Sequence, residues 1–329
     1  MSSLALFGGP GPLLLLLAAL AIDAYVGCLI EALPPGPATL VARLGGWLDR
    51  KLNRQERDDA TRLTRGVLAA FVIAAVAALA GLLIHGLSRA LPYGWSLELV
   101  TLLSCVRLRE PWRRIREVRR ALEHRGLDAA RAEVKPLTRR DTDSLDDHGV
   151  ARAAIEAAAK HLNQGAVAPA FWYILLGLPG ALLWTAVNAL DEAIGHRSPR
   201  YEQFGLAAAR IDDVLNVLPA RLTGALITVG AAFLGSAQPL TALRTMIKDA
   251  RYHRSLNAGW PEAAMAGALG LALGGPNQEG AVTVREVWIG QGRARATTSD
   301  IGRALGLYAV TGLVLAGLIG VVMLGLAAL

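Results

Sequence analysis

The sequence predicts an all-α, polytopic integral membrane protein with cytoplasmic helical loops and broken or re-entrant segments. Three observations predict it. The 329 residues are 53% apolar and only 5% aromatic, with a mean hydropathy of +0.38. Apolar runs near 20 residues recur, the length a helix needs to cross a ~30 Å hydrocarbon core. The 34 Lys and Arg against 27 Asp and Glu give a charge of +7, and most of the basic residues lie between those runs. Such hydrophobicity excludes a disordered chain. Two cysteines, Cys28 and Cys105, both in or beside apolar runs, exclude a disulfide scaffold. Basic loops beside apolar runs point to the cytoplasmic side of a membrane rather than to nucleic acid.

The first run extends from Pro12 to Leu33. No Lys or Arg precedes Arg43, so it lacks the basic start of a signal peptide and reads as a retained anchor. Arg43, Arg50, Lys51, Arg54, Arg57, Arg62 and Arg65 follow it and place residues 43–65 in the cytoplasm. A second run, Gly66–Leu91, leads outward to about His85, and Trp95–Leu108 is the segment available to bring the chain back. Residues 107–165 form a basic cytoplasmic helical section, with a helix over Trp112–Arg120 continuing after a break at Gly126. Its bland reading is a solvated hairpin; an anionic lipid surface or a large anionic substrate are the alternatives.

Ala166–Leu190 and Leu222–Ala237 are further candidate spans, Ala263–Gly275 is a weaker one, and Ala304–Leu329 is a strong last one. Leu178-Pro179-Gly180 interrupts the first of these, as a kink or as the tip of a re-entrant hairpin. Arg197, Arg200, Arg210 and Arg221 favour the cytoplasm, as do Arg244, Lys248, Arg251 and Arg254, and one crossing at Leu222–Ala237 cannot satisfy both groups. The chain is treated as a single membrane-embedded domain, 1–329.

Phosphate-loop, HExxH and GxSxG motifs are missing, and the six histidines are scattered. Polar residues instead gather at the ends of apolar segments. One group is Arg139–Asp147, in which Thr142, Asp143, Ser144 and Asp146 are also good helix caps. Asn188 shares a helix face with Asp191 and Glu192, and Asp212 shares one with Asn216. Arg210, Asp213, Pro219 and Arg221 flank that pair. Ser255, Asn257, Gly259 and Glu262 precede Gly274-Gly275-Pro276 and Gly280, and Asn257 could cap a helix starting near Pro261. Carboxylates suit Mg²⁺ with phosphate, and arginines suit phosphate or carboxylate.

In their order these groups resemble the CobD/CbiB family of adenosylcobinamide-phosphate synthases. The resemblance is strongest over Gly126–Asp146, which ends in a counterpart of "GRDT..LD", over Val167–Arg221, and over Asp249–Gly280. It implies a bacterial inner-membrane enzyme of cobalamin biosynthesis. Such an enzyme is an ATP-dependent acid–amine ligase that joins (R)-1-amino-2-propanol, or its phosphate, to a propionate of adenosylcobyric acid, with ATP and Mg²⁺. Contact with other corrin-pathway membrane proteins is a further expectation, nucleic acid is not. On this resemblance Asp141, Asp191, Asp212 and Asp213 take metal or base roles, with Asp191 and Asp212 as the metal ligands. Arg140 and Arg221 hold phosphate or corrin side chains, and Asn188, Asn216, Ser255 and Asn257 bind substrate.

The sequence also departs from the family pattern. Cys28-Leu29 stands where Asp-Pro is usual after Gly27. The "ENxxDG" stretch reads Lys160-His161-Leu162-Asn163-Gln164-Gly165, "NTLDS" reads Asn188-Ala189-Leu190-Asp191-Glu192, and "SPNAG" reads Ser255-Leu256-Asn257-Ala258-Gly259. Gln278-Glu279 replaces an expected Tyr near the Gly-Gly-Pro loop. A non-catalytic membrane sensor or assembly protein of the same fold, AmpE-like, is the alternative. A transporter is weaker, because the charged residues gather at one face.

Overall fold

A computed structural model describes residues 10–30, 36–138, 140–196, 198–279, 282–284 and 286–328. The end of the first apolar run, Arg139, Arg197 and Gly280 lie outside the described residues. In chain order the helices are α1 (Pro12–Ile30), α2 (Pro37–Leu52), α3 (Asp59–Ala90), α4 (Trp95–Cys105), α5 (Arg109–His124), α6 (Leu127–Val134), α7 (Asp147–Leu162), α8 (Ala168–Ile194), α9 (Leu206–Ala231), α10 (Pro239–Asp249), α11 (Gly259–Leu269) and α12 (Thr298–Ala327). Four very short strands between α11 and α12 form two antiparallel pairs, β1 (Leu273–Gly274) with β4 (Trp288–Ile289) and β2 (Asn277–Glu279) with β3 (Val282–Val284). The protein is therefore an all-α membrane protein. Among the described residues, four helical stretches are long and apolar enough to cross a membrane: Asp59–Ala90, Asp147–Ile194, Leu206–Ala231 and Thr298–Ala327.

Two of the weaker expected spans are corrected. α4 and α11 have 11 residues each, which at 1.5 Å per residue is about 16 Å, roughly half a bilayer core. Neither can cross alone as a helix. The return passage expected at Trp95–Leu108 is therefore not a spanning helix. The stretch expected at Leu222–Ala237 is the second half of a longer helix, α9, whose first half carries Arg210, Asp212 and Asp213.

The chain groups into two compact units, and each draws segments from both halves of the sequence. The first comprises residues 1–107, 168–216 and 323–329. Its core joins Ala69, Ala70 and Ile73 of α3 to Ala186, Leu190 and Ile194 of α8, with Phe204 and Ala208. Glycine allows the helices to meet: a Cβ at Gly81 of α3 would stand 2.5 Å from Pro179 Cα. α8 is not straight. Gly177 has φ +67° and ψ −157°, a region essentially closed to other residues. Residues eight apart in a straight helix are about 12 Å apart along the axis. Here a Cβ at Gly180 would collide with the Trp172 carbonyl. The chain thus folds sharply at Gly177, and of the two readings of Leu178-Pro179-Gly180 the structure favours the bent-back arm. A polar network fixes the loop after α8. Arg200 grips buried Asp49, with Nη2 donating to Oδ2 at 2.7 Å and Nε shared between Oδ2 at 3.1 Å and Oδ1 at 3.3 Å. Arg62 donates to Asn53 Oδ1 at 3.0 Å and to the Arg200 carbonyl at 2.6 Å.

The second unit comprises residues 108–167 and 217–322. α5 turns Ile115, Val118 and Ala121 inward and covers its outer faces with ion pairs such as Arg119–Glu123 and Glu117–Arg120, both at 2.8 Å. This matches the expected helical hairpin, broken at Gly126 with φ +86°. Asp146 caps α7 by accepting from Gly149 N at 2.7 Å. α7 and α11 are rich in Ala; α11 is almost wholly buried and α7 mostly so.

Candidate functional site

The predicted polar residues divide between the two units. In the first unit they converge on Asp212. This carboxylate sits two turns into α9, and Asn188, near the end of α8, donates to its Oδ1 at 3.2 Å. Asn216 lies one turn further along α9 and donates to the Asp212 carbonyl at 3.0 Å. Asn188 and Asn216 are both buried, at 1% and 3% exposure. Asp191, Asp213 and Glu192 are close enough to act electrostatically on Asp212. The face-sharing expected from sequence, Asn188 with Asp191 and Asp212 with Asn216, therefore builds one oxygen-rich neighbourhood from two helices. Among the described residues no group of three His, Cys, Asp or Glu side chains could hold a metal by itself. Mg²⁺ commonly takes only one or two protein carboxylates and completes its shell with phosphate and water. The donor set at Asp191 and Asp212 fits that mode.

In the second unit the centre is Glu156, which the sequence reading did not single out. It lies in the middle of α7 and accepts from Arg140 Nη2 and from Gly274 N, each at 2.8 Å. Arg140 also faces Glu286 at 3.7 Å, and Glu286 faces Arg254 at 3.4 Å. Beside them His253 pairs with Glu262 at 3.2 Å. Burial by itself would lower the pKa of His253; Glu262 and the Ser255 carbonyl outweigh it and raise the pKa to about 9. The imidazole is then charged at neutral pH. One signal of Glu156 is present in the sequence, a lone carboxylate within Ala-Ala-Ile-Glu-Ala-Ala-Ala, since an ionisable group in an apolar helix needs a partner. For Glu286 there is none, because Arg140 and Arg254 are remote in sequence, and His253 and Glu262, nine positions apart, match no helical i, i+3 or i+4 spacing.

Of the residues expected in this unit, Arg140 enters the charged centre. Asp141 caps the short 3₁₀ turn Thr142–Ser144 and accepts from Asp143 N at 3.2 Å. Ser255 Oγ accepts from Asn257 N at 3.4 Å and Ala258 N at 3.3 Å, holding the turn before α11. Asn257 is buried, and it does not cap α11, whose N-cap position is Ala258. The guanidinium of Arg221 lies 4.4 Å from the centroid of the Trp260 ring and donates to the Val217 carbonyl at 2.6 Å. A cation on an indole face is held in place while its remaining donors stay usable.

Comparison with known proteins places these features. A family described as CobD/Cbib protein matches residues 16–308. The "Cobalamin biosynthesis protein CobD" of a Sinorhizobium species is 41% identical over 312 residues, 93% of this chain and 97% of that protein. The proteins of the same name from Brucella suis biovar 1 and Rhodobacter capsulatus are 38% identical over 313 residues and 40% identical over 277. They cover 93% and 83% of this chain, and the matches take in 95% and 84% of those proteins. No solved structure matches. With its family match spanning residues 16–308 and its relatives matched over most of their length, this chain belongs to the CobD/CbiB family of cobalamin biosynthesis.

Proposed function

We propose that the chain is an ATP-dependent acid–amine ligase. It would join (R)-1-amino-2-propanol, or its phosphate, to a propionate of adenosylcobyric acid, giving adenosylcobinamide or its phosphate. Family membership carries the pathway. The observation that carries the chemistry is the gathering of Asp191, Asp212 and Asp213 with Asn188 and Asn216 in one place. A carboxylate is a poor electrophile, so amide formation requires its activation, here as an acyl phosphate. MgATP, when bound, supplies the transferred phosphoryl group and neutralises its charge. Asp191 and Asp212 would hold the metal through carboxylate oxygens. The amine nitrogen then attacks the carbonyl carbon, phosphate leaves, and Asp213 accepts the amine proton. Asn188, Asn216, Ser255 and Asn257 orient substrate by hydrogen bonds. Arg140 and Arg221 bind phosphate or the corrin side chains, and Glu156 holds Arg140 in place from behind. The basic loops support a bacterial inner-membrane location with the main polar sections in the cytoplasm.

The test is production of the amide in a bacterium lacking its own synthase, supplied with adenosylcobyric acid and aminopropanol phosphate and read by mass spectrometry. The expected result is product from the wild type and none from Asp191→Ala or Asp212→Ala, with all three proteins present in membranes. Wild-type-like turnover in both variants would overturn the assignments. No product from folded wild type would favour the non-catalytic, AmpE-like reading.

A further inference from the structure

The helix α10 divides its circumference in three. Ala242, Thr245 and Met246 face inward, and Met246 packs so closely on α9 that a Cβ at Gly224 would stand 2.6 Å from its sulfur. At 3.6 residues per turn, Leu240, Leu243 and Ile247 fall within about 60° of one another on the outer side. Their exposures are 68%, 39% and 63%. The next roughly 60° carries Arg244, Lys248 and, just past the helix end, Arg251, all exposed. The one acidic residue of α10, Asp249, turns inward and accepts from Gly290 N at 3.0 Å. Arg251 donates to the hydroxyl of exposed Tyr252 at 2.8 Å. The outer surface is thus an apolar strip beside a purely cationic one, ending in a tyrosine.

We infer that α10 is an interfacial helix that lies in the headgroup layer of the chain's own bilayer and binds its anionic lipids. An exposed apolar strip needs a cover, and in a membrane protein the acyl boundary is next to it. The cationic strip selects the occupant, since phosphate groups of anionic lipids complement it. Attachment to α9, a helix apolar enough to enter a membrane, supplies the position. A soluble acidic partner would suit the arginines and lysine and leave Leu240 and Ile247 in water. A second copy of the chain would bring its own cations against these. Tyrosine at the end of the strip suits the interface, where one side of its ring is apolar and its hydroxyl is wet.

The experiment uses the full chain in nanodiscs of phosphatidylcholine with or without phosphatidylglycerol. Spin labels are placed at Leu243→Cys and Ile247→Cys after Cys28→Ser and Cys105→Ala. The expected result is a label about 5–10 Å below the headgroups, reached by oxygen and shielded from a water-soluble nickel chelate. A second readout needs no substitution. Acetylation of Lys248 by a water-soluble reagent should slow in phosphatidylglycerol discs relative to exposed Lys135. Labels open to the nickel chelate, labels closed to both probes as at a protein interface, or Lys248 reactivity indifferent to phosphatidylglycerol would each overturn the inference.

Discussion

Replacing Glu156 with leucine tests how the second unit holds its charges. In the native chain the carboxylate faces Arg140 at 2.8 Å and takes the Gly274 N–H at 2.8 Å, with only 9% of the residue exposed. Breaking a buried ion pair by removing one partner costs about 3–5 kcal/mol. Orphaning a buried N–H costs about 1–3 kcal/mol. These overlap, and Glu286 remains 3.7 Å from Arg140 to share its charge. The net loss expected is therefore near the low end of the pair value, about 3 kcal/mol. In a unit of this size that lowers the melting temperature by roughly 6–12 °C. Arg140→Leu should cost a similar amount. The double variant is the informative one. It removes both charges and leaves the orphaned Gly274 N–H as its main defect, so it should melt above either single variant. Thermal unfolding of the four proteins in one detergent at pH 7 gives the cycle. A double variant whose loss equals the sum of the single losses would refute the coupling.

His253 sets a pH dependence. Its pKa rises from 6.5 to about 9 on folding, so its contribution is complete below pH 6.5 and is lost as pH rises through 9. At about 1.36 kcal/mol per unit this is on the order of 3 kcal/mol. Melting temperature measured against pH should fall over that window in the wild type and stay flatter in Glu262→Gln; matching slopes would sink the assignment. Gly177→Ala should destabilise by about 1–3 kcal/mol through backbone strain alone, because a Cβ there meets nothing nearer than Pro179 Cδ at 3.7 Å. Unchanged urea or thermal stability would show that the bend tolerates other residues. Asp212→Asn retains the size of the side chain and removes its charge; loss of amide product with unchanged melting is expected, and normal turnover would remove Asp212 from the metal role.

Local chemistry made much of the fold legible in the sequence. An unbroken apolar run of about 20 residues crosses a bilayer as a helix, which satisfies its backbone N–H and C=O groups within the segment. The apolar helices α3, α8 and α12 followed from that rule. Asp146 as a cap and Gly126 as a break are equally local, settled by side-chain-to-backbone bonds and by φ. Length was harder to read. Apolar composition over Trp95–Leu108 and Ala263–Gly275 resembled weak spans, yet α4 and α11 are short helices packed among other helices. Burial by protein and burial by lipid select the same residues, and composition does not separate them.

The candidate site shows the same division. Asn188 with Asp191, and Asp212 with Asn216, were visible as pairs because helical spacing puts residues three and four apart on one face. That the two pairs meet depends on the packing of α8 and α9, which brings Asn188 within 3.2 Å of Asp212. Glu156, His253 and Glu286 had no such local mark. Their partners lie outside helical spacing, so only chain folding could bring Arg140, Gly274 and Glu262 to them. The sequence by itself determined the membrane class, the family and the residues that share a helix face, because those rest on composition, motif order and the period of a helix. Tertiary structure decided which charges neutralise which, because a buried charge depends on the groups within a few ångströms of it, whatever their distance along the chain.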